Sequence, residues 1–135
     1  MKQKKYIGND SAVFCNWFKC SIGTPWCAVF VSYCAAKSNT SIDKTGYVPD
    51  MANQFKNQGM YITSKKYIPK SGDLIFYDYE HDGRENHVGI VEKYENGIIY
   101  TIEGNWGSDD SFLSQVCRAT HNINNSDIIG YGLTL

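Results

Sequence analysis

The hydrophobic and polar positions fall into two regimes along the chain. From Asn9 to Gln58 apolar residues recur at helical spacing, and from Leu74 onward they come in short β-rich runs broken by turn residues. Asn9 or Asp10 can cap a first helix that reaches about Lys19. After Ser21-Ile22-Gly23 a second helix is expected to open with Thr24 as cap and Pro25 at its first position. From Trp26 to Lys37 this second helix is apolar on nearly every side, which assigns it to the middle of a core. A third is expected from Pro49 to about Gln58, with Gly59 as its left-handed stop.

Leu74-Ile75-Phe76-Tyr77 follows Ser71-Gly72-Asp73 as a short buried strand, and Val88–Tyr94 and Ile98–Ile102 flank Glu95-Asn96-Gly97, a hairpin signal. Further strands are expected near Gln115–Thr120 and Ile128–Leu133. Helices first and antiparallel strands afterwards define an α+β domain, with the helices packed on one face of the sheet. The 135 residues suit a single domain spanning 1–135, without internal repeat or linker.

Composition narrows the function classes. Thirteen Lys+Arg against fourteen Asp+Glu give a net charge of -1, so no general field attracts nucleic acid or anionic lipid. No apolar run is long enough to span a bilayer as a helix, and Lys2, Lys4 and Lys5 are followed by Tyr6–Asp10 rather than by the apolar stretch of a secretory signal. The five cysteines contain no C-x-x-C pair, which argues against a closed disulfide framework and a structural zinc site.

Cys27 lies in the first turn of the apolar helix, where unpaired N–H groups and the helix dipole favour a thiolate. The position fits a nucleophile and a small core residue equally well, and Cys34 fits the core better. Among the histidines, His81 sits in the polar run Glu80–Glu85 and reads as loop, and His121 has only Thr120 and Asn122 beside it. His87 instead opens a strand whose hairpin partner ends in Glu103-Gly104-Asn105, placing a base beside groups able to orient it. A two-residue loop at Asn96-Gly97 would set His87 opposite Trp106 and send Glu103 and Asn105 to the other face. A three-residue loop with a bulge at Gly97 sets Asn105 opposite His87 and Glu103 diagonal to it on one face. The bulged hairpin is therefore the expectation.

In order, Thr24-Pro25-Trp26-Cys27-Ala28-Val29-Phe30-Val31-Ser32, Ser71-Gly72-Asp73-Leu74-Ile75-Phe76, His87-Val88-Gly89-Ile90-Val91 and Ile102-Glu103-Gly104-Asn105 resemble the signature of the CHAP domain, the cysteine, histidine-dependent amidohydrolase/peptidase. The resemblance implies a papain-like fold and cleavage of an amide bond in bacterial peptidoglycan, either between sugar and peptide or within the stem or cross-bridge. It implies Cys27 as nucleophile, His87 as base, Glu103 as the group orienting the imidazole and Asn105 as a further polar member. Asn86 precedes His87 where many relatives carry Asp. Trp26 and Trp106 are candidate walls of a substrate groove, with a place in the core or rim as the competing assignment.

No cofactor or metal is expected, since Asp78–Gly83 opens like a calcium loop but Gly89 stands where the closing Glu would be. The expected partner is peptidoglycan, with no nucleic acid or membrane, and the protein is expected to act as a monomer. The lack of a leader fits a phage-type lysin made in the cytoplasm and released to the wall, and equally a catalytic domain cut from a secreted hydrolase. A rival from another class is a catalytically inert module that binds cell-wall glycopeptide through its 10 Tyr.

Overall fold

The computed structural model describes residues 9–19, 26–106 and 115–134, without the side chains of residues 9–12, 105, 106 and 115. Among these residues three helices, α1 (Asn9–Phe18), α2 (Cys27–Lys37) and α3 (Val48–Asn57), precede six strands. These are β1 (Tyr61–Ile62), β2 (Leu74–Tyr77), β3 (His87–Glu95), β4 (Ile98–Trp106), β5 (Gln115–Asn122) and β6 (Ile128–Gly132). They form one antiparallel sheet in the order β1-β6-β2-β3-β4-β5. The α+β expectation is met, and β1 is the one strand the sequence did not suggest, being only two residues long.

The helix α2 lies against β3 and β4, buried along Cys27–Ser32 and again at Ala35. Its burial follows from composition, since nothing in Ala28-Val29-Phe30-Val31 requires water. Those residues share one core with Val48, Met51, Ala52 and Phe55 of α3 and with Leu74, Phe76, Val88 and Val116 of the sheet. The alternate residues Ile75, Tyr77, Val91, Ile99, Ile128 and Tyr131 form a second cluster on the opposite face. Period-two alternation thus splits each central strand between two environments.

The start of α2 departs from expectation. Thr24 and Pro25 lie outside the described residues, and the residue preceding the helix is Trp26, at φ −125° and ψ 18°, with no side-chain cap. Cys27 is consequently the first helical residue. In place of a polar cap, the Trp26 ring anchors this end. It is fully buried and stacked on Phe14 at 5.4 Å and 14°, with Phe30 edge-on.

The hairpin also differs in detail. Asn96 and Gly97 form a two-residue turn, both left-handed at φ 52° and 84°, and Glu95 faces Ile98. Asn-Gly satisfies a type I′ turn unaided, so nothing there calls for a third loop residue. The one-residue shift expected at Gly97 occurs instead between Val91 and Lys93, where Glu92 is the extra residue. Beyond it Val91 faces Thr101 and Ile90 faces Ile102, the register that brings His87 and Glu103 to one face.

Candidate active site

Four strands and one helix converge where β3 begins. His87, the first residue of β3, is buried, and its Nε2 lies 2.7 Å from Glu103 Oε1. The imidazole also hydrogen-bonds the Cys27 side chain at the start of α2. With Nε2 committed to the carboxylate, Nδ1 is the nitrogen left to face the sulfur. The structure therefore brings Cys27, His87 and Glu103 into one connected line. Asn105 and Trp106 belong to the backbone of β4, but their side chains lie outside the described residues.

Glycines make room for this line on both sides of the sheet. A Cβ on Gly89 would stand 2.7 Å from Glu103 Cγ, so only glycine lets the carboxylate lie flat across β3. On the other face a Cβ on Gly104 would stand 2.7 Å from Trp26 Cζ3 and 2.8 Å from Phe30 Cβ. The first glycine seats the acid, and the second seats the helix that carries the sulfur.

Glu103 is fully buried and accepts four hydrogen bonds. Besides His87 on Oε1, its Oε2 accepts from Tyr77 Oη at 2.7 Å, Thr101 Oγ1 at 2.6 Å and His121 Nε2 at 3.0 Å. Burial alone would push the carboxyl pKa up. The donors, led by His121 and His87, outweigh it and hold the group well below the usual carboxylate range. The effect on His87 is opposite in sign. Burial disfavours its charged form, yet the hydrogen bonds to Cys27 and Glu103 prevail and raise the pKa to about 10. A buried imidazole held protonated between a sulfur and a carboxylate can stabilise a thiolate and later deliver a proton.

Cys27 opens onto a groove of about 380 Å³. One wall is Gly46, Tyr47, Val48 and Pro49, and the other runs from Glu80 through Asp82, Arg84, Glu85 and Asn86. The first wall is tied to α2 by the helix's buried polar residue, because Ser32 Oγ donates to Thr45 O at 2.8 Å and accepts from Thr45 N at 3.1 Å. Gln54 of α3 holds the preceding loop by exchanging two hydrogen bonds with the Asp43 backbone, at 2.8 and 2.9 Å. On the second wall Asn86 Oδ1 accepts from Tyr79 N at 3.1 Å, and this side-chain amide closes the loop before β3. Asp78 caps the same loop, accepting from the Asp82 and Gly83 N–H groups.

Trp26 does not wall the groove. It is 0% exposed because its ring fills the space between α1, α2 and Gly104. The exposed aromatics beside the site are Tyr47, in the groove wall, and Tyr79, stacked on Tyr77 at 5.3 Å and 5.9 Å from the His87 ring.

Sequence reasoning passed over Tyr77, Thr101 and His121. A signal for His121 existed in the alternation of β5, where Cys117, Ala119 and His121 are buried while Arg118, Thr120 and Asn122 are exposed. A histidine in phase with two small buried residues belongs to the interior face. Its partner was not readable, because it depends on the β4–β5 register that sets Thr101 opposite Ala119 and Glu103 opposite Cys117.

The fold and the site define a class. The family model of the CHAP domain matches residues 19–105, which include Cys27, His87, Glu103 and Asn105, and the chain belongs to that family. Among solved structures it is similar to Ly7917, with a TM-score of 0.54 and 14% identity over 93% of this chain and 61% of that one. A second Ly7917 structure, with the hydrolyzing product of MDP, aligns with TM-score 0.54 and 15% identity over 82% of this chain and 54% of that one. The endolysin LysIME-EF1 aligns at TM-score 0.40 and 15% identity over 78% of this chain and 63% of its own. The chain thus spans just over half to under two thirds of the length of these proteins. No curated protein matches it.

Proposed function

We propose that the protein is a peptidoglycan hydrolase that cleaves an amide bond by a thiol mechanism, with Cys27 as nucleophile, His87 as proton carrier and Glu103 as its orienting acid. The observation that carries this reading is the unbroken line from Cys27 through His87 to a fully buried carboxylate, at the edge of an open groove. Membership of the CHAP family supports the wall as substrate.

The reaction follows from the roles. The Cys27 thiolate attacks the scissile carbonyl carbon, forming a C–S bond while the carbonyl π electrons move to oxygen. As the first helical residue, Cys27 has a backbone N–H with no partner inside the helix, and that donor meets the oxyanion. Collapse breaks the C–N bond, and the His87 imidazolium gives its proton to the departing amine. Water, deprotonated by the now neutral His87, then attacks the thioester and releases the acid and the thiol. Asn105 enters this scheme through the family resemblance as a further polar member, and Trp106, which follows it in the chain, as a candidate groove wall. Both the muramoyl–alanine bond and a stem or cross-bridge peptide bond fit this chemistry.

The test is digestion of purified sacculi from several wall chemotypes, followed by mass spectrometry of released fragments. Wild-type protein should release products with a new amine and a new carboxylate at one bond type, and Cys27→Ala should release none while melting as the wild type does. Undiminished release by Cys27→Ala would refute the thiol mechanism. Binding without release by both proteins would favour a glycopeptide-binding module.

A further inference from the structure

Glu103 lies between two imidazoles. His87 Nε2 stands 2.7 Å from Oε1, His121 Nε2 stands 3.0 Å from Oε2, and the Tyr77 ring packs against both at 5.4 and 5.0 Å. A carboxylate only accepts, so Nε2 of His121 must carry its proton toward Glu103. Tyr77 comes from β2, His87 from β3, Thr101 and Glu103 from β4 and His121 from β5, so the two strands flanking this carboxylate's own strand each send an imidazole to it.

We propose that His121 is a positioning residue that acts through Glu103. Together with Tyr77 and Thr101 it anchors Oε2, so that Oε1 stays aimed at His87 and the imidazole stays aimed at Cys27. The inference rests on the thiol mechanism above. The physical argument concerns rotation. A buried carboxylate held on one oxygen alone can turn about its Cγ–Cδ bond. Three donors on the second oxygen, Tyr77 from β2, Thr101 from β4 and His121 from β5, arrive from three strands and fix that torsion. His121 does not line the groove that exposes Cys27, so its effect on the chemistry passes through Glu103.

The ionisable groups around the pair are Tyr77 from β2, Tyr79 from the loop that follows it, Cys117 and His121 from β5, and Cys27 from α2. Misorienting Glu103 deprives His87 of its anionic partner. The imidazolium is then less favoured, and His87 supports the Cys27 sulfur less well as a nucleophile.

The experiment measures the pH profile of Cys27 alkylation by iodoacetamide, which needs no substrate, in the full chain and two variants. His121→Phe fills the space without a donor, and His121→Gln returns an N–H near the same position. His121→Phe should slow Cys27 alkylation at neutral pH about tenfold, the scale expected for loss of a hydrogen bond to a charged group, and move the profile toward that of an ordinary thiol. His121→Gln should restore both within about threefold. Should His121→Phe not fold, His121→Asn, whose shorter amide cannot reach Oε2, takes its place with the same expectation.

A profile unmoved in His121→Phe, or in the His121→Asn that replaces it, would reduce His121 to a structural residue and overturn the proposal. So would a shift to lower pH, which would mean that His121 competes with His87 for the carboxylate. The thiol mechanism is judged separately by wall hydrolysis in Cys27→Ala. Loss of hydrolysis there with an unmoved His121 profile would remove only the inference.

Discussion

The two faces of one sheet are built by opposite rules from neighbouring residues of the same strands. Toward the helices, Leu74, Phe76, Val88 and Val116 are apolar and share one core with α2 and α3. On the reverse, Tyr77, His87, Thr101, Glu103 and His121 are as deeply buried but joined by hydrogen bonds of 2.6 to 3.0 Å. The apolar face fixes the backbone of α2 and with it the sulfur, by contacts without direction. The polar face fixes an imidazole, which needs direction, and the hydrogen-bond network supplies it. The division explains why two glycines are needed, one clearing space on each side.

The largest way to break the polar face is to remove its centre. Glu103→Ala would leave Tyr77, Thr101, His87 and His121 without their shared acceptor. It should cost about 3 to 5 kcal/mol in chemical denaturation and abolish wall hydrolysis. The milder Glu103→Gln should fold and lose about 100-fold or more in rate, since an amide neither charges nor correctly orients the imidazole.

The glycine pair sharpens the contrast. Gly89→Ala pushes on Glu103 and Gly104→Ala on Trp26 and Phe30, each at about 1 to 3 kcal/mol for overpacking a tight site. Gly89→Ala should also cut turnover well beyond its effect on melting, whereas Gly104→Ala should lower Tm with turnover per folded molecule largely kept. Equal turnover losses would mean that the faces are not separable.

A smaller effect is read in the pH dependence of stability. His87 has a raised pKa, so its contribution is complete below the ordinary histidine value near 6.5 and disappears as pH climbs through about 10. Glu103 has a depressed pKa, so its contribution is present above the ordinary carboxylate range and is lost as acid reprotonates it. Tm should therefore be highest between about pH 5 and 6.5 and decline on both sides, and Glu103→Gln should flatten both slopes. The smallest effect belongs to the exposed surface, where Glu95→Gln breaks the 3.2 Å pair with Lys93 and should leave melting and hydrolysis unchanged.

How much of this was legible in the sequence follows the same division. Apolar patterning is local, so α2, the end of α3 at Gly59 and the strands from Leu74 onward could be read residue by residue. Cys27, His87 and Glu103 stand out as candidates at a helix start, a strand start and a hairpin register, and the roles proposed for them come with the family resemblance. Where the reading slipped, the deciding fact was tertiary. Trp26 resembles a groove wall until Gly104 of a distant strand is seen to make a slot for it. The register shift was foreseen but placed at Gly97, because no local signal distinguishes Glu92 as a bulge. His121 was dismissed for lack of neighbours along the chain, while its partner lay across β4.

The central claim is that one thiol has been set apart from the others by its surroundings, and Cys34 supplies the internal control. It lies two turns along the same helix, half-buried, with burial pushing its pKa up to about 11. Site-resolved alkylation of the native protein across a pH series measures both thiols in one sample. The account predicts that Cys27, whose sulfur meets the His87 imidazole, reacts first, with Cys34 following only in strong alkali. Equal rates at the two positions, or a Cys27 profile that rises only alongside that of Cys34, would contradict it.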